Sequence, residues 1–216
     1  MRDPAVEAYV EAIEAHLRAR RGVEHILSPR DFGIARAWHE RGMPLATVLV
    51  GIDLAFEDGQ SVTSLAFCRR RVEDLAACGP PPRRRPALPA ETVPLEEIGT
   101  ILAGLAERLA TLRPGRRACF ELPLRKIEEL RELIAVAARP NLDHLRGKLR
   151  EVDDDVSAAV LQSLDDADRL RFEGEARRAV ERHRRHVEES ALEDAKARFV
   201  VHRAREALGL PRVSLV

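Results

Sequence analysis

Between Gly79 and Pro94 the chain reads GPPPRRRPALPAETVP, and six of these sixteen positions are proline. Each proline removes a backbone donor and clashes with the preceding turn, so no α-helix can run through this stretch. The segment is expected to form an extended, polyproline-like linker. It divides the chain into an N-terminal part, 1–78, the linker, 79–94, and a C-terminal part, 95–216. Both flanking parts are long enough to enclose a core of their own.

Each part reads as helical. In the first, Asp3 is placed to cap a helix that Pro4 opens, and Val6, Tyr9, Val10, Ile13 and Leu17 recur on one face. Arg18, Arg20 and Arg21 suit the negative end of the helix dipole, and Gly22 closes the element. Ser28-Pro29-Arg30-Asp31 starts a second helix, with Phe32, Ala35 and Trp38 on its inner face and Gly42 as its stop. The spacing predicts a third helix from Pro44 to Phe56, carrying Leu45, Val48, Leu49, Ile52 and Phe56 on one side. After the turn Glu57-Asp58-Gly59-Gln60, a fourth falls within Ser64 to Cys78, with Leu65, Cys68, Val72 and Leu75 inward. Four short helices with tight connections make a small bundle.

Beyond the linker, Leu95, Ile98, Leu102, Leu105, Leu109 and Leu112 alternate spacings of three and four, the seam of a helix packed nearly parallel to a neighbour. Arg113-Pro114-Gly115 turns the chain. A helix through Leu124, Ile127, Leu130, Ile134 and Ala137 ends at Pro140, and another follows through Leu142, Leu145, Leu149 and Val152. Asp153 to Asp155 read as a break or a new helix start, followed by a short helix over Val156 to Leu164. A highly charged helix is expected from Asp165 to Val187. A last helix runs from Ser190 to Leu208, opened by the capping box Ser190–Glu193 and closed by Gly209. The apolar tail Val213 to Val216 is suited to docking on the body. The fold class expected is therefore all-α, a small N-terminal helical module followed by a C-terminal helical bundle.

Composition narrows the function. Hydrophobic residues make up 45% of the chain but aromatics only 4%, which fits aliphatic helix packing better than a β-sandwich. Lys+Arg and Asp+Glu number 36 each, so nucleic acid can be met only by a local patch and not by a basic domain. Cys68, Cys78 and Cys119 form no Cys-x-x-Cys pair, which points away from a disulfide framework or a zinc finger and towards a reducing compartment. Neither a signal-peptide core nor an apolar run of spanning length is read, so a cytoplasmic protein without membrane contact is expected.

The stretch LSPRDFGIARAWHERGMPLATVLVGI, Leu27 to Ile52, continued by SLAFCRRRV from Ser64 to Val72, carries the most specific signal. It resembles the small helical domain of DnaD-like primosomal replication proteins. In that family a Leu-Ser/Thr-Pro opening precedes a Trp-bearing helix, a Gly-containing turn and a helix like Leu45 to Ile52. The family's final helix has an aromatic, then Ile four residues on and Trp eight residues on; here these positions are Phe67, Arg71 and Leu75. The likeness covers about fifty residues of the N-terminal module and implies a replication-accessory, DNA-associated role. The same segment can be read as a helix-turn-helix whose outward residues on the third helix are Ala46, Thr47, Val50 and Asp53. None of these is an Arg, Lys, Asn or Gln that would read bases, so a packed helical hairpin is the better reading.

Two arginine triplets, Arg69-Arg70-Arg71 and Arg83-Arg84-Arg85, are the concentrated basic features near this module and the candidate phosphate contacts. In the C-terminal part, Arg171, Arg178, Arg182 and Arg185 lie along one helix face. Glu173 is spaced to pair with Arg177, and Glu181 and Glu189 with Arg185, which describes a self-neutralised surface. His183 and His186, three apart on the same helix, could share a metal, but they lack a further ligand and sit among arginines. Asp153 to Asp155 and Asp165, Asp166 and Asp168 lack the ligand spacing of a calcium loop. Gly99 to Gly104 has Leu105 where a phosphate loop needs Lys. No catalytic constellation is signalled, and neither metal nor cofactor is expected. Two functions follow as expectations: a non-enzymatic protein that binds DNA weakly through its arginine clusters, or an adaptor that meets another protein or a second copy through the Leu95–Leu112 helix.

Overall fold

The computed structural model describes residues 3–22, 27–57, 62–79, 95–136 and 142–212. It is all-α, with no strand among the described residues. None of its helices is long and apolar enough to cross a membrane. The linker beyond Gly79, with Arg83, Arg84 and Arg85, lies outside the described residues, as does the tail from Val213 to Val216.

The chain forms two compact units that are not consecutive in sequence. One combines Met1–Leu88 with Phe172–His202, the other Pro89–Arg171 with Arg203–Val216. The sequence pattern assigns residues 172–202 to the C-terminal bundle, whereas they belong to the first unit. The difference arises from an apolar stripe, Phe172, Ala176 and Val180 followed by Leu192, Ala195 and Phe199, whose burial belongs to the first unit.

The first unit begins with α1, Pro4–Arg21, where the Asp3 carboxylate accepts the Ala5 N–H at 3.0 Å and Gly22 turns out at φ 67°. In α2, Pro29–Glu40, the Ser28 hydroxyl accepts the Asp31 N–H at 3.1 Å. Ala35 and Trp38 point inward as expected, but Phe32 is 43% exposed and Asp31 is buried in its stead. The reason is a tertiary cap: the Asp31 carboxylate accepts the Leu65 N–H at 2.9 Å, at the start of α4, Leu65–Ala76. That bond satisfies a helix N-terminal donor that Ser64 leaves unmet.

Between them lies α3, Leu45–Glu57, buried at every residue from Ala46 to Ala55. One side of it, Val48, Leu49, Ile52 and Ala55, joins Ile13, Trp38, Leu65 and Val72 in a core shared by the first four helices. The other side, Ala46, Val50 and Leu54, packs with Ala176, Val180, Leu192, Ala195 and Phe199. These last residues come from α9, Asp166–Glu181, and α10, Glu189–Ala207, and the division between the units falls inside both helices. α3 and α4 approach so closely that a Cβ on Gly51 would lie 2.7 Å from the Val72 Cα.

In the second unit α5, Leu95–Ala110, buries Ile98, Leu102, Leu105 and Leu109. The short α6, Pro114–Arg117, and a 3-10 turn, Ala118–Phe120, lead into α7, Glu121–Val136, which buries Ile127 and Leu130. α8 runs unbroken from Leu142 to Gln162, so the aspartates at 153–155 neither break nor start a helix. Two of them are neutralised by cations from elsewhere in the unit. Asp153 meets Arg205 at 2.9 Å and also Arg212, and Asp155 meets Lys126 at 2.5 Å. Asp165 serves as a cap, accepting the Asp168 N–H at 2.8 Å.

Two expected boundaries move. α9 ends at Glu181 and not at Val187, because residues 182–186 form tight turns in which His183 N–H reaches Val180 C=O at 2.9 Å and His186 N–H reaches His183 C=O at 2.9 Å. α10 begins at Glu189, so Ser190 lies inside its first turn and is not its cap.

Candidate functional site

The arginines singled out on α4 are partly engaged. Arg69 Nε lies 3.2 Å from Glu73 and Arg70 Nε 3.7 Å from Asp74, both one helical turn away. Glu73 also receives Arg41 at 2.8 Å. The Arg70 side chain is nonetheless 92% exposed, and Arg71 is half-buried. Beside them Phe67 is 55% exposed while Leu65, Cys68, Val72 and Leu75 are fully buried, so the aromatic of the family-like triplet faces outward and its third position, Leu75, faces the core. Ala46, Thr47, Val50 and Asp53, the outward positions of the helix-turn-helix reading, are buried. α3 therefore cannot enter a DNA groove, in keeping with the packed-hairpin reading.

A second constellation is assembled only by the fold. Asp53, on the far half of α3, is 2% exposed and accepts hydrogen bonds on both carboxylate oxygens. His16 of α1 approaches Oδ1 through Nε2 at 2.9 Å, and His183, in the turn after α9, approaches Oδ2 through Nε2 at 3.0 Å. An ionised carboxylate can only accept, so each imidazole carries its proton on the nitrogen facing Asp53. Arg20 Nε adds a contact to Oδ1 at 3.2 Å, and Arg182 lies 3.8 Å from Oδ2. The two rings meet edge to face with centroids 4.9 Å apart, and Arg20 lies over the Phe56 ring at 5.1 Å.

Burial by itself pushes the Asp53 carboxyl up. The hydrogen bonds from His16 and His183, with the electrostatic attraction of the same rings, outweigh it and hold the group below the usual carboxylate range. One buried anion thus joins α1, α3 and the 182–186 turn, segments far apart in sequence.

The pairing of His183 with His186 gives way to this arrangement. His183 is buried on Asp53, whereas His186 is exposed. The expected ion pairs of this region also shift, since Arg184, not Arg185, meets Glu181 at 3.6 Å and Glu189 at 3.7 Å. The apolar seam of α5 is enclosed by its own unit, so a partner on this helix would meet the groove beside α7, lined by Leu95, Gly99, Ala103, Arg131 and Ile134. Cys119 is half-buried, and Cys68 and Cys78 are buried.

The one sequence signal that points to the Asp53 cluster is a lone acid in LATVLVGIDLAF, a helical stretch whose only other polar side chain is Thr47. Such a helix is central, and a charge within it requires partners. His16 and Arg20 come from α1, and His183 and Arg182 reach Asp53 because the 172–202 segment folds back onto α3. No family model, curated protein or solved structure matches the chain.

Proposed function

We propose that this is a non-enzymatic, nucleic-acid-associated protein that binds single strands weakly along the exposed face of α4. The observation that supports this reading is the pairing of Phe67, 55% exposed, with the Arg70 side chain, 92% exposed, three residues further along the same helix. An outward aromatic offers a stacking platform to unpaired bases, and guanidinium groups one turn away offer phosphate contacts. Phe67 is also the residue kept from the aromatic-led pattern of the DnaD-like module.

The ion pairs of Arg69 and Arg70 do not oppose the reading. Exposed pairs of this kind contribute only about 0–1 kcal/mol, so a phosphate can replace the carboxylate at small cost. Arg83, Arg84 and Arg85 would add a second basic segment beyond Gly79. A neutral overall charge suits a weak, salt-sensitive contact and not broad electrostatic capture.

The test is fluorescence anisotropy on single- and double-stranded oligonucleotides across a salt series. Single strands are expected to bind more tightly, and F67A to weaken that binding by roughly 1–3 kcal/mol. Alanine at Arg69, Arg70, Arg71, Arg83, Arg84 and Arg85 is expected to flatten the dependence of log K on log salt. An unchanged slope in that variant, or no binding at low salt, would refute the proposal.

A further inference from the structure

We propose that His16, Asp53 and His183 form a binding site for one divalent first-row transition metal of the zinc class. Three features carry this. The donor set is two imidazole nitrogens and one carboxylate, a combination suited to such ions and unsuited to magnesium or calcium, which take oxygen ligands. The three donor atoms lie within 4.8 Å of one another, drawn from α1, α3 and the turn after α9. Metal–nitrogen bonds of about 2.0–2.1 Å in a tetrahedral site place donors about 3.3–3.4 Å apart, so the imidazoles must close inward by up to about 1.5 Å to complete the geometry. Asp53 and His183 are buried, while the His16 side chain keeps 16% of its surface in solvent, which leaves an approach path and an open position for water.

The arginines are the competing occupants. Arg20 and Arg182 hold the same carboxylate, but their side chains are 33% and 52% exposed and can turn outward. A metal would take their place on Asp53, and both imidazoles would give up the protons they now direct at the carboxylate. This exchange makes a specific demand: removing Arg20 should strengthen metal binding. In a cluster that is structural only, the same change would merely loosen the fold.

The experiment is titration of the full-length, metal-free protein with Co2+, read by visible absorption, then displacement by Zn2+ followed by calorimetry. One equivalent of Co2+ is expected to give saturable ligand-field bands without thiolate charge transfer, and Zn2+ to abolish them. Arg20→Ala should bind more tightly than the unaltered chain, and His16→Ala at least tenfold more weakly. Circular dichroism of each variant, before metal is added, verifies that it is folded. The unaltered chain decides the matter even where a variant fails: absence of a saturable one-equivalent site at millimolar Co2+ or Zn2+ overturns the proposal. Binding that His16→Ala leaves unchanged overturns it too, since the metal would then sit elsewhere.

Discussion

Replacing Asp53 removes the one side chain that meets His16, Arg20, Arg182 and His183 together. Its carboxylate accepts from His16 at 2.9 Å and His183 at 3.0 Å and pairs with the Arg20 guanidinium at 3.2 Å, all around a residue 2% exposed. Asp53→Ala leaves these donors facing a void, and breaking a buried charge cluster in this way costs about 3–5 kcal/mol. Asp53→Asn keeps one acceptor oxygen, and the imidazole facing its amide can accept by changing tautomer, so a cost of roughly 2 kcal/mol is expected. Glu40→Gln, which breaks the exposed pair with Arg36 at 2.7 Å, should cost less than about 0.5 kcal/mol.

Trp38 makes the assay selective, because it is the chain's one tryptophan and lies 1% exposed in the first unit's core. Urea unfolding followed by its fluorescence, in metal-free buffer, reports that unit. The pH dependence has a fixed sign. Because the folded carboxyl is held below its ordinary value, its stabilisation is complete above the unfolded pKa and is lost as pH falls towards the folded one. The gap between unaltered protein and Asp53→Asn should therefore narrow as pH drops below about 4. An Asp53→Ala variant within about 1 kcal/mol of the unaltered chain, a range ordinary for surface changes, would refute the idea that this anion ties the three segments together.

Two further outcomes follow from packing and burial. Gly51→Ala would place a Cβ 2.7 Å from the Val72 backbone and should destabilise by about 1–3 kcal/mol in the same urea assay, whereas Gly33→Ala meets nothing within 4 Å and should stabilise α2 by about 0.5–1 kcal/mol. The Cys68 thiol, pushed up to about 12 by burial and by the nearby Asp31 carboxylate, should resist alkylation until the unit unfolds, with half-buried Cys119 labelled first in a mass-spectrometric time course.

Much of the fold was legible because its signals are local. Asp3-Pro4 and Ser28-Pro29 cap helices by their own side chains, and Gly22 and Gly209 take the left-handed turns that end α1 and α10. The inward faces of α4 and α5 follow directly from their spacing. What was not legible depends on contacts between distant residues. Asp153 reads as a helix breaker until Arg205 and Arg212 neutralise it. Phe32 reads as core until Asp31 turns inward to cap α4. The apparent helix across 182–187 gives way to turns that set His183 and Arg182 on Asp53. α3 shows why the site was hidden: its even hydrophobicity could have marked it as central, but its covering segment lies more than a hundred residues away.

The exposed face of α4 can be tested directly by Phe67→Trp. Trp38 is buried, so the added indole would be the solvent-facing one. A single-stranded oligonucleotide stacked on position 67 should quench it saturably, and added salt should reverse the effect as the phosphate contacts weaken. The unaltered chain, with Trp38 alone, should show little quenching by the same strand. Equal quenching in the two proteins, or anisotropy showing a bound strand while the new indole stays bright, would place any nucleic-acid contact away from α4 and contradict the proposed function.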